Sequence, residues 1–556
     1  MHINRHSDAD DRHANDSYAD NDRLTAITRH EASRRAMLRF AAIGTAGIGL
    51  GPLLTACGTD NGGSGDSSGD GSGKAAKGGS VLVVRDKDSV SFDKTMVFSN
   101  ASTWVYVQIY ETLTIGGKDG KTVEPWLATG WTQSTDKLTW TFALRKDVTF
   151  SDGTAMTSAD VKFSIDEASS TKGGWEFINS AIDKVTAPDP HTLVITTKYP
   201  WAPLLADLAC PSNGIIPKNY GGRGKKAFYE APTGTGPFLW DTWDKGNRLT
   251  LKANRKYWRA GLPYLDKVTW QVVPDANTRS VMLRGGQAQI DENPPFSTLS
   301  QLEAVQGLDV TLFPSTRTDY LVMNEKHKPF DDVHVRRAIS YAIDREQLIK
   351  AVLFDHGTPA DSLFMPTVPY YDKNTRGQSY DMDRAKAELA KSSVPGGFST
   401  TYLAAAGDST DAAIAQVLQA SLKELGITMK ITNSDPSAVH DLQNKLDYDI
   451  SHVYWTMDIA DPDELAQFAV VPDGGGNSMF TGYSNKQAQH LAQQAAKTLS
   501  TGERQSLYSQ LQNLLAQDAF VAPLFYSPLP YATSSAVKGF YVKPTGLYDM
   551  AVVSAH

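Results

Sequence analysis

Residues 138–161 read LTWTFALRKDVTFSDGTAMTSADV. The first seven alternate, with Leu138, Trp140, Phe142 and Leu144 on one side and small or polar residues on the other. That period of two is a strand with one buried face. Ser151-Asp152-Gly153 is a turn signal, because Asp bonds its own backbone and Gly tolerates positive φ. Thr157 or Ser158 then offers a cap for a helix through 160–168. Strand, turn and capped helix within 24 residues set a mixed α/β pattern.

The pattern continues outward in both directions. Residues 81–85 (VLVVR), 192–197, 248–253, 267–273, 310–313, 320–323, 427–431 and 449–453 read as strands. Residues 104–113 and 301–305 read as short helices. Residues 332–353 read as one long helix, with Val335, Ala338, Ile339, Ala342, Ile343, Leu348, Ile349 and Val352 on its apolar face. A second helix covers 411–425 and stops at Gly426, and 488–517 carries two more on either side of Thr501-Gly502. No repeat of fixed period occurs. The expected class is α/β, with sheets partly covered by helices.

The 556 residues allow several domains and a large core. With 11 Trp, 22 Tyr and 20 Phe, the chain is supplied for a large core or a roomy ligand cleft. A net charge of −8 argues against nucleic acid as the main partner. Cysteines stand only at 57 and 210, which excludes a disulfide scaffold and an all-Cys metal site.

Residues 1–56 read as an address. The stretch 40–54 (FAAIGTAGIGLGPLL) is uncharged and 15 residues long, short of a membrane span. Arg34, Arg35 and Arg39 precede it, and Leu54-Thr55-Ala56-Cys57 follows. SRRAMLR resembles a twin-arginine export signal, and LTAC resembles the lipobox of bacterial lipoproteins. The resemblance implies that Cys57 is diacylated and becomes the mature N-terminus, which leaves Cys210 as a small hydrophobe without a disulfide partner. Residues 57–80, rich in Gly, Ser and Asp, read as a flexible tether holding a folded body near a membrane.

Catalytic motifs are not found: no HExxH, GxSxG, Walker loop or GxGxxG occurs. His440 and His452 are not at ligand spacing. Asp458, Asp461, Asp463 and Glu464 form an acidic cluster that lacks the central Gly of a calcium loop. No cofactor is expected.

Longer stretches carry a family resemblance. Residues 124–131 (EPWLATGW), 140–154 (WTFALRKDVTFSDGT), 157–161 (TSADV), 234–238 (GTGPF), 251–258 (LKANRKYW), 265–268 (LDKV) and 330–345 (FDDVHVRRAISYAIDR) together resemble family 5 extracellular solute-binding proteins. These are the peptide and nickel receptors of ABC importers. The resemblance, which runs from about residue 80 to the C-terminus, implies a two-lobed, hinged, periplasmic-binding-protein-like fold. Lobe one would hold 81–318 and 522–556, with an inserted subdomain near 121–235, and lobe two would hold 319–521. It also implies a lipid-anchored receptor outside the cell membrane, passing short peptides to permease subunits and not acting as an enzyme.

Residues 454–462 (YWTMDIADP) follow the strand at 449–453. In the peptide-binding branch, a W-x-x-D stretch supplies an aspartate that pairs with the peptide's α-amino group, a role that falls on Asp458. Trp455 and Tyr454 would then form aromatic walls. The competing reading makes Asp458 a turn residue and Asp461 the cap of a helix beginning at Pro462. Arg317, His327 and Arg279 are candidates for a ligand carboxylate by charge alone. Oligosaccharides, stacked on Trp104, Trp126 or Trp455, and metal chelates are the alternative ligands. A hydrolase using paired carboxylates is a remote one.

Overall fold

Strands dominated by β-branched and aromatic residues build three main sheets in the computed structural model, which describes residues 77–472 and 478–555. Arg34, Arg35, Cys57 and the tether up to residue 76 lie outside these residues. The first sheet has seven strands, in the order Leu308–Phe313, Leu529–Ser534, Ile290–Glu292, Ser80–Arg85, Lys267–Val272, Arg248–Ala253 and Phe238–Asp244. Ser80–Arg85 runs parallel to both its neighbours, and the remaining pairs are antiparallel. Its core joins Val81, Val83, Trp270 and Ile290 to Tyr106, Phe228 and Tyr548.

The second sheet has six strands, in the order Thr358–Pro359, Val521–Tyr526, Arg317–Met323, Ile450–Thr456, Ser399–Ala405 and Thr428–Ser434. Helices cover both of its faces, so alternate residues of one strand enter different cores. Tyr320 and Val322 face one cluster, and Leu321 and Met323 face the other. A four-stranded antiparallel sheet, Ala128–Gln133, Thr139–Leu144, Thr192–Thr197 and Ile182–Asp189, forms a subdomain with its own core around Phe142, Leu193 and Ile195. The helix Ser158–Ser170 packs on it. Its start is held by Asp160, whose carboxylate accepts the Thr157 backbone N–H at 2.8 Å.

Residues 332–353, expected as one helix, form two: Val333–Tyr341 and Arg345–Leu353. Asp332 and Asp344 each cap a helix start, Asp344 accepting the Gln347 N–H at 3.0 Å. The apolar stripe is continuous because both helices pack on the same core. The helix expected over 104–113 is shorter and earlier, Asn100–Tyr106, and ends in tight turns.

The chain passes between the two large sheets twice, through 314–316 and through 527–528. The strand Val521–Tyr526, which a boundary at 522 would divide, pairs along its length with Arg317–Met323 in the second sheet. That ladder sets the change of lobe after Tyr526. The crossings are stitched together: the Ser315 hydroxyl donates to the Ser527 carbonyl. Away from the crossings the lobes also touch. The Ala202 N–H donates to the Ala496 carbonyl at 2.9 Å, and Phe177 packs on Phe468. Ile459 of the second lobe sits among Trp175, Ile178, Ala206 and Cys210 of the first, so the molecule is closed.

Arg279 is internal to the first lobe. Its guanidinium bonds Asp291 at 2.9 Å and the carbonyls of Val273 and Pro274, with both side chains almost wholly buried. Removing one member of such a pair strands the other charge in the core. Arg279→Ala is expected to lower unfolding free energy by about 3–5 kcal/mol in denaturant titrations. A loss below about 1 kcal/mol would mean that Asp291 is not held by this pair.

Candidate functional site

The strand Ile450–Thr456 ends at the edge of the lobe interface, and the chain turns through 457–462 into the helix Asp463–Val470. Two carboxylates hold that turn. Glu464, fully buried, accepts the backbone N–H groups of Asp458 and Ile459 at 2.9 and 3.2 Å, and its other oxygen accepts the Trp455 indole N–H at 3.0 Å. Asp461 accepts the Asp463 N–H at 2.9 Å and forms a bidentate pair with Arg504 at 2.8 and 2.9 Å. Asp461 thus caps the helix start and also closes a buried ion pair.

The turn presents Asp458 to a cavity between the lobes. The cavity measures about 90 Å³. Tyr110, Glu111, Trp126, Tyr257 and Lys543 line it from the first lobe, and Asp458, Ile459 and Ala460 from the second. Among the described residues no group donates a hydrogen bond to the Asp458 carboxylate, and no histidine lines the cavity. Burial pushes the Asp458 carboxyl well above the usual carboxylate range. The adjoining Glu464 is raised by burial and then by the charge of Asp458.

Glu111 is the buried acid of the wall. It accepts from the Tyr257 hydroxyl at 2.7 Å, the Trp126 indole at 2.8 Å and the Trp258 indole at 3.1 Å. Burial pushes its pKa up to about 7 against these hydrogen bonds. Asp549 is engaged by Arg259 at 2.9 Å and caps Ala551.

Of the three residues expected to hold ligand, the structure brings only Asp458 to the cavity. Trp455 stacks on Phe468 with ring centroids 4.3 Å apart, inside the second lobe. Its contribution is the indole bond to Glu464. Tyr454, on the opposite face of the strand, is half exposed and lies under the Arg317 guanidinium at 3.8 Å. The carboxylate candidates also fall elsewhere. Arg317 forms a bidentate pair with Asp319, His327 meets Asp449, and Arg279 is in the core. Trp126 lines the cavity, whereas Trp104 packs beside Tyr548 in the first-lobe core. Glu111, Tyr257 and Lys543 were not foreseen. Glu111 meets Tyr257 across 146 positions of sequence, so no local pattern signals it.

Residues 122–477 match the family model of bacterial extracellular solute-binding proteins, family 5. The glutathione-binding protein GsiB of Escherichia coli (strain K12) is 32% identical over 429 residues, 75% of this chain and 83% of that protein. Among solved structures, the periplasmic binding protein DppA of Helicobacter pylori, in complex with the peptide STSA, superposes with a TM-score of 0.77 at 29% identity. It covers 86% of this chain and 98% of that one. The oligopeptide-binding protein AppA of Bacillus subtilis, in complex with a nonapeptide, gives a TM-score of 0.77 at 25% identity, over 87% of this chain and all of the other. A two-lobed body closed over an interlobe cavity, matched over most of its length by a family model and by curated relatives, identifies this chain as a member of the family 5 extracellular solute-binding proteins.

Proposed function

We propose that the protein captures short peptides through their free α-ammonium group and delivers them to the permease subunits of an ABC importer. The observation that carries this reading is the Asp458 carboxylate, facing the interlobe cavity with no donor among the described residues and a fully buried carboxyl, Glu464, beside it. A part-buried acid beside a fully buried one is costly to ionise without a cation. A ligand ammonium at Asp458 removes that cost and exchanges it for a charge-assisted hydrogen bond. Relatives named for glutathione binding, and a solved relative holding a tetrapeptide, support the same chemistry. The lobes hinge at 314–316 and 527–528, where two adjacent connecting segments limit the motion to one main opening.

A calorimetric cycle with wild type and Asp458→Asn, each against free and N-acetylated forms of one peptide, tests the anchor. Either change alone is expected to cost about 2–5 kcal/mol, some 30-fold or more in affinity. The two changes together are expected to cost little more, since they remove one interaction. Full additivity, or an unweakened variant, removes Asp458 from the site. A thermal-shift panel of peptides, glutathione, oligosaccharides and nickel chelates identifies the ligand class. A shift confined to sugars or chelates replaces the peptide reading, and steady turnover of a bound ligand would make the cleft catalytic.

The raised carboxyl has two further consequences with definite sign. The ammonium needs Asp458 ionised, so affinity for a free peptide falls as pH drops through the raised pKa, while an N-acetylated peptide lacks this dependence. In the ligand-free protein, a folded-state pKa above the unfolded one means stability lost as pH rises through it. Asp458→Asn is therefore expected to stabilise the ligand-free protein above neutral pH by about 1 kcal/mol or more, read as a higher Tm. An unchanged or lower Tm there would show that the carboxylate is already satisfied.

We further propose that Cys57 carries the lipid anchor and that Arg34 and Arg35 direct export by the twin-arginine route. Cys57→Ser is expected to move the protein from the membrane fraction to the soluble fraction and to abolish lipid labelling. Retention with normal labelling places the anchor elsewhere. Arg34→Lys with Arg35→Lys is expected to block export, and continued export would assign the general secretory route.

A further inference from the structure

Four charged side chains line the interlobe cavity among the described residues: Glu111, Asp458, Lys543 and Asp549. Two are already engaged. Glu111 is held by the hydroxyl and indole donors of Tyr257, Trp126 and Trp258, and Asp549 by Arg259 and by its cap on Ala551. The uncommitted charges are an acid from the second lobe, Asp458, and a base from the first, Lys543.

Lys543 is held in place from both ends. The turn 543–547 closes with the Lys543 N–H donating to the Leu547 carbonyl and the Gly546 N–H donating to the Lys543 carbonyl, both at 2.8 Å. Gly546, at φ +80°, has no room for a side chain, since a Cβ would lie 3.0 Å from the Trp104 indole nitrogen. At the other end, the ammonium donates to the Gly116 carbonyl at 2.6 Å. Its remaining N–H donors have no partner among the described residues, and no carboxylate there forms an ion pair with it. Glu124 and Asp549 act on it at longer range, Lys118 and Arg259 oppose them, and burial lowers its pKa. A part-buried ammonium with spare donors, pinned on a cavity wall, has the properties of a carboxylate receptor.

We infer that Lys543 receives the ligand's carboxylate, so that the cavity binds a short zwitterion with its ammonium at Asp458 on one lobe and its carboxylate at Lys543 on the other. This rests on the peptide reading of the cavity and narrows it. The ligand's carboxylate lies inside the cavity, and the C-terminus of a long peptide does not run out of the cleft. A ligand that engages opposite charges on the two lobes also favours the closed form, because each lobe contributes one end of the attraction.

The test uses the dipeptide Met-Leu as the free acid, as the C-terminal amide and as the N-acetylated acid. Each is titrated calorimetrically into wild type, Lys543→Gln and Lys543→Arg. Wild type is expected to bind the acid roughly tenfold or more tightly than the amide, the cost of one charge-assisted contact. In Lys543→Gln that preference is lost and acid and amide bind alike, while sensitivity to N-acetylation persists. Lys543→Arg keeps the charge and retains part of the preference. Equal weakening of acid and amide in Lys543→Gln, with their ratio unchanged, makes Lys543 only a structural tie to Gly116 and overturns the inference. So does a wild type that does not discriminate acid from amide, a result that needs no variant to fold. If acid and amide differ but N-acetylation has no effect, Lys543 stands and the Asp458 anchor fails. If wild type binds none of the three forms, both readings fail for dipeptides.

Discussion

The bidentate pair between Arg504 and Asp461 sits beneath everything the cavity does. Arg504 comes from the helix Thr501–Asp518, Asp461 from the turn after Ile450–Thr456, and both side chains are buried. A buried ion pair is not needed for stability in general, but it is specific in geometry. Here it fixes where the helix Asp463–Val470 begins, and so where Glu464 points. Glu464 in turn gathers two backbone N–H groups and the Trp455 indole. With the N–H groups of Asp458 and Ile459 held by Glu464, the turn presents the Asp458 side chain to the cavity. The local acidity that looks wasteful, four carboxyl groups within seven residues, divides into two acids that build the turn, one that lines the cavity, and Asp463 at the helix start.

The first lobe meets this turn with apolar surface. Ile459 enters a cluster of Trp175, Ile178, Ala206 and Cys210, and Phe177 packs on Phe468, which itself carries Trp455. The lobe contact therefore buries aromatic and aliphatic groups beside the cavity. Low dielectric strengthens whatever ionic contact the ligand makes at Asp458 and penalises that carboxylate when the cavity holds no cation. On the proposed peptide reading, recognition and closure are linked: the lobes meet at the cost of partly desolvating an acid, and a cationic ligand would offset that cost.

Cys210 illustrates how the same environment decides chemistry. Its thiol is fully buried, accepts the Ser212 hydroxyl at 3.3 Å, and is pushed up by burial and by the nearby Asp458 and Glu464. Such a thiol is far from the thiolate form that reactivity requires. It acts as a small apolar filler in the lobe contact.

The class of the fold and most of its elements were legible in local pattern. LTWTFAL shows its period of two and forms the strand Thr139–Leu144, and the helix at 411–425 appears as Ser409–Lys423, capped by Asp408. Over 332–353 the pattern failed because a capping side chain intervened: Asp344 starts a new helix within a continuous apolar stripe. Asp458 could be marked from its W-x-x-D setting, but Trp455 and Tyr454 could not be placed. Adjacent residues of one strand face opposite ways, and which face meets a cavity depends on what packs there. Lys543 and Glu111 were beyond reach for the same reason. Glu111 meets Tyr257, and Lys543 meets Gly116, across more than a hundred positions of sequence, brought together by packing within the first lobe. Periodicity and capping are properties of a few neighbouring residues, so the chain carries them in its order. A binding cavity is a property of two lobes in contact, and only the packed tertiary structure decides which charges are left without a partner inside it.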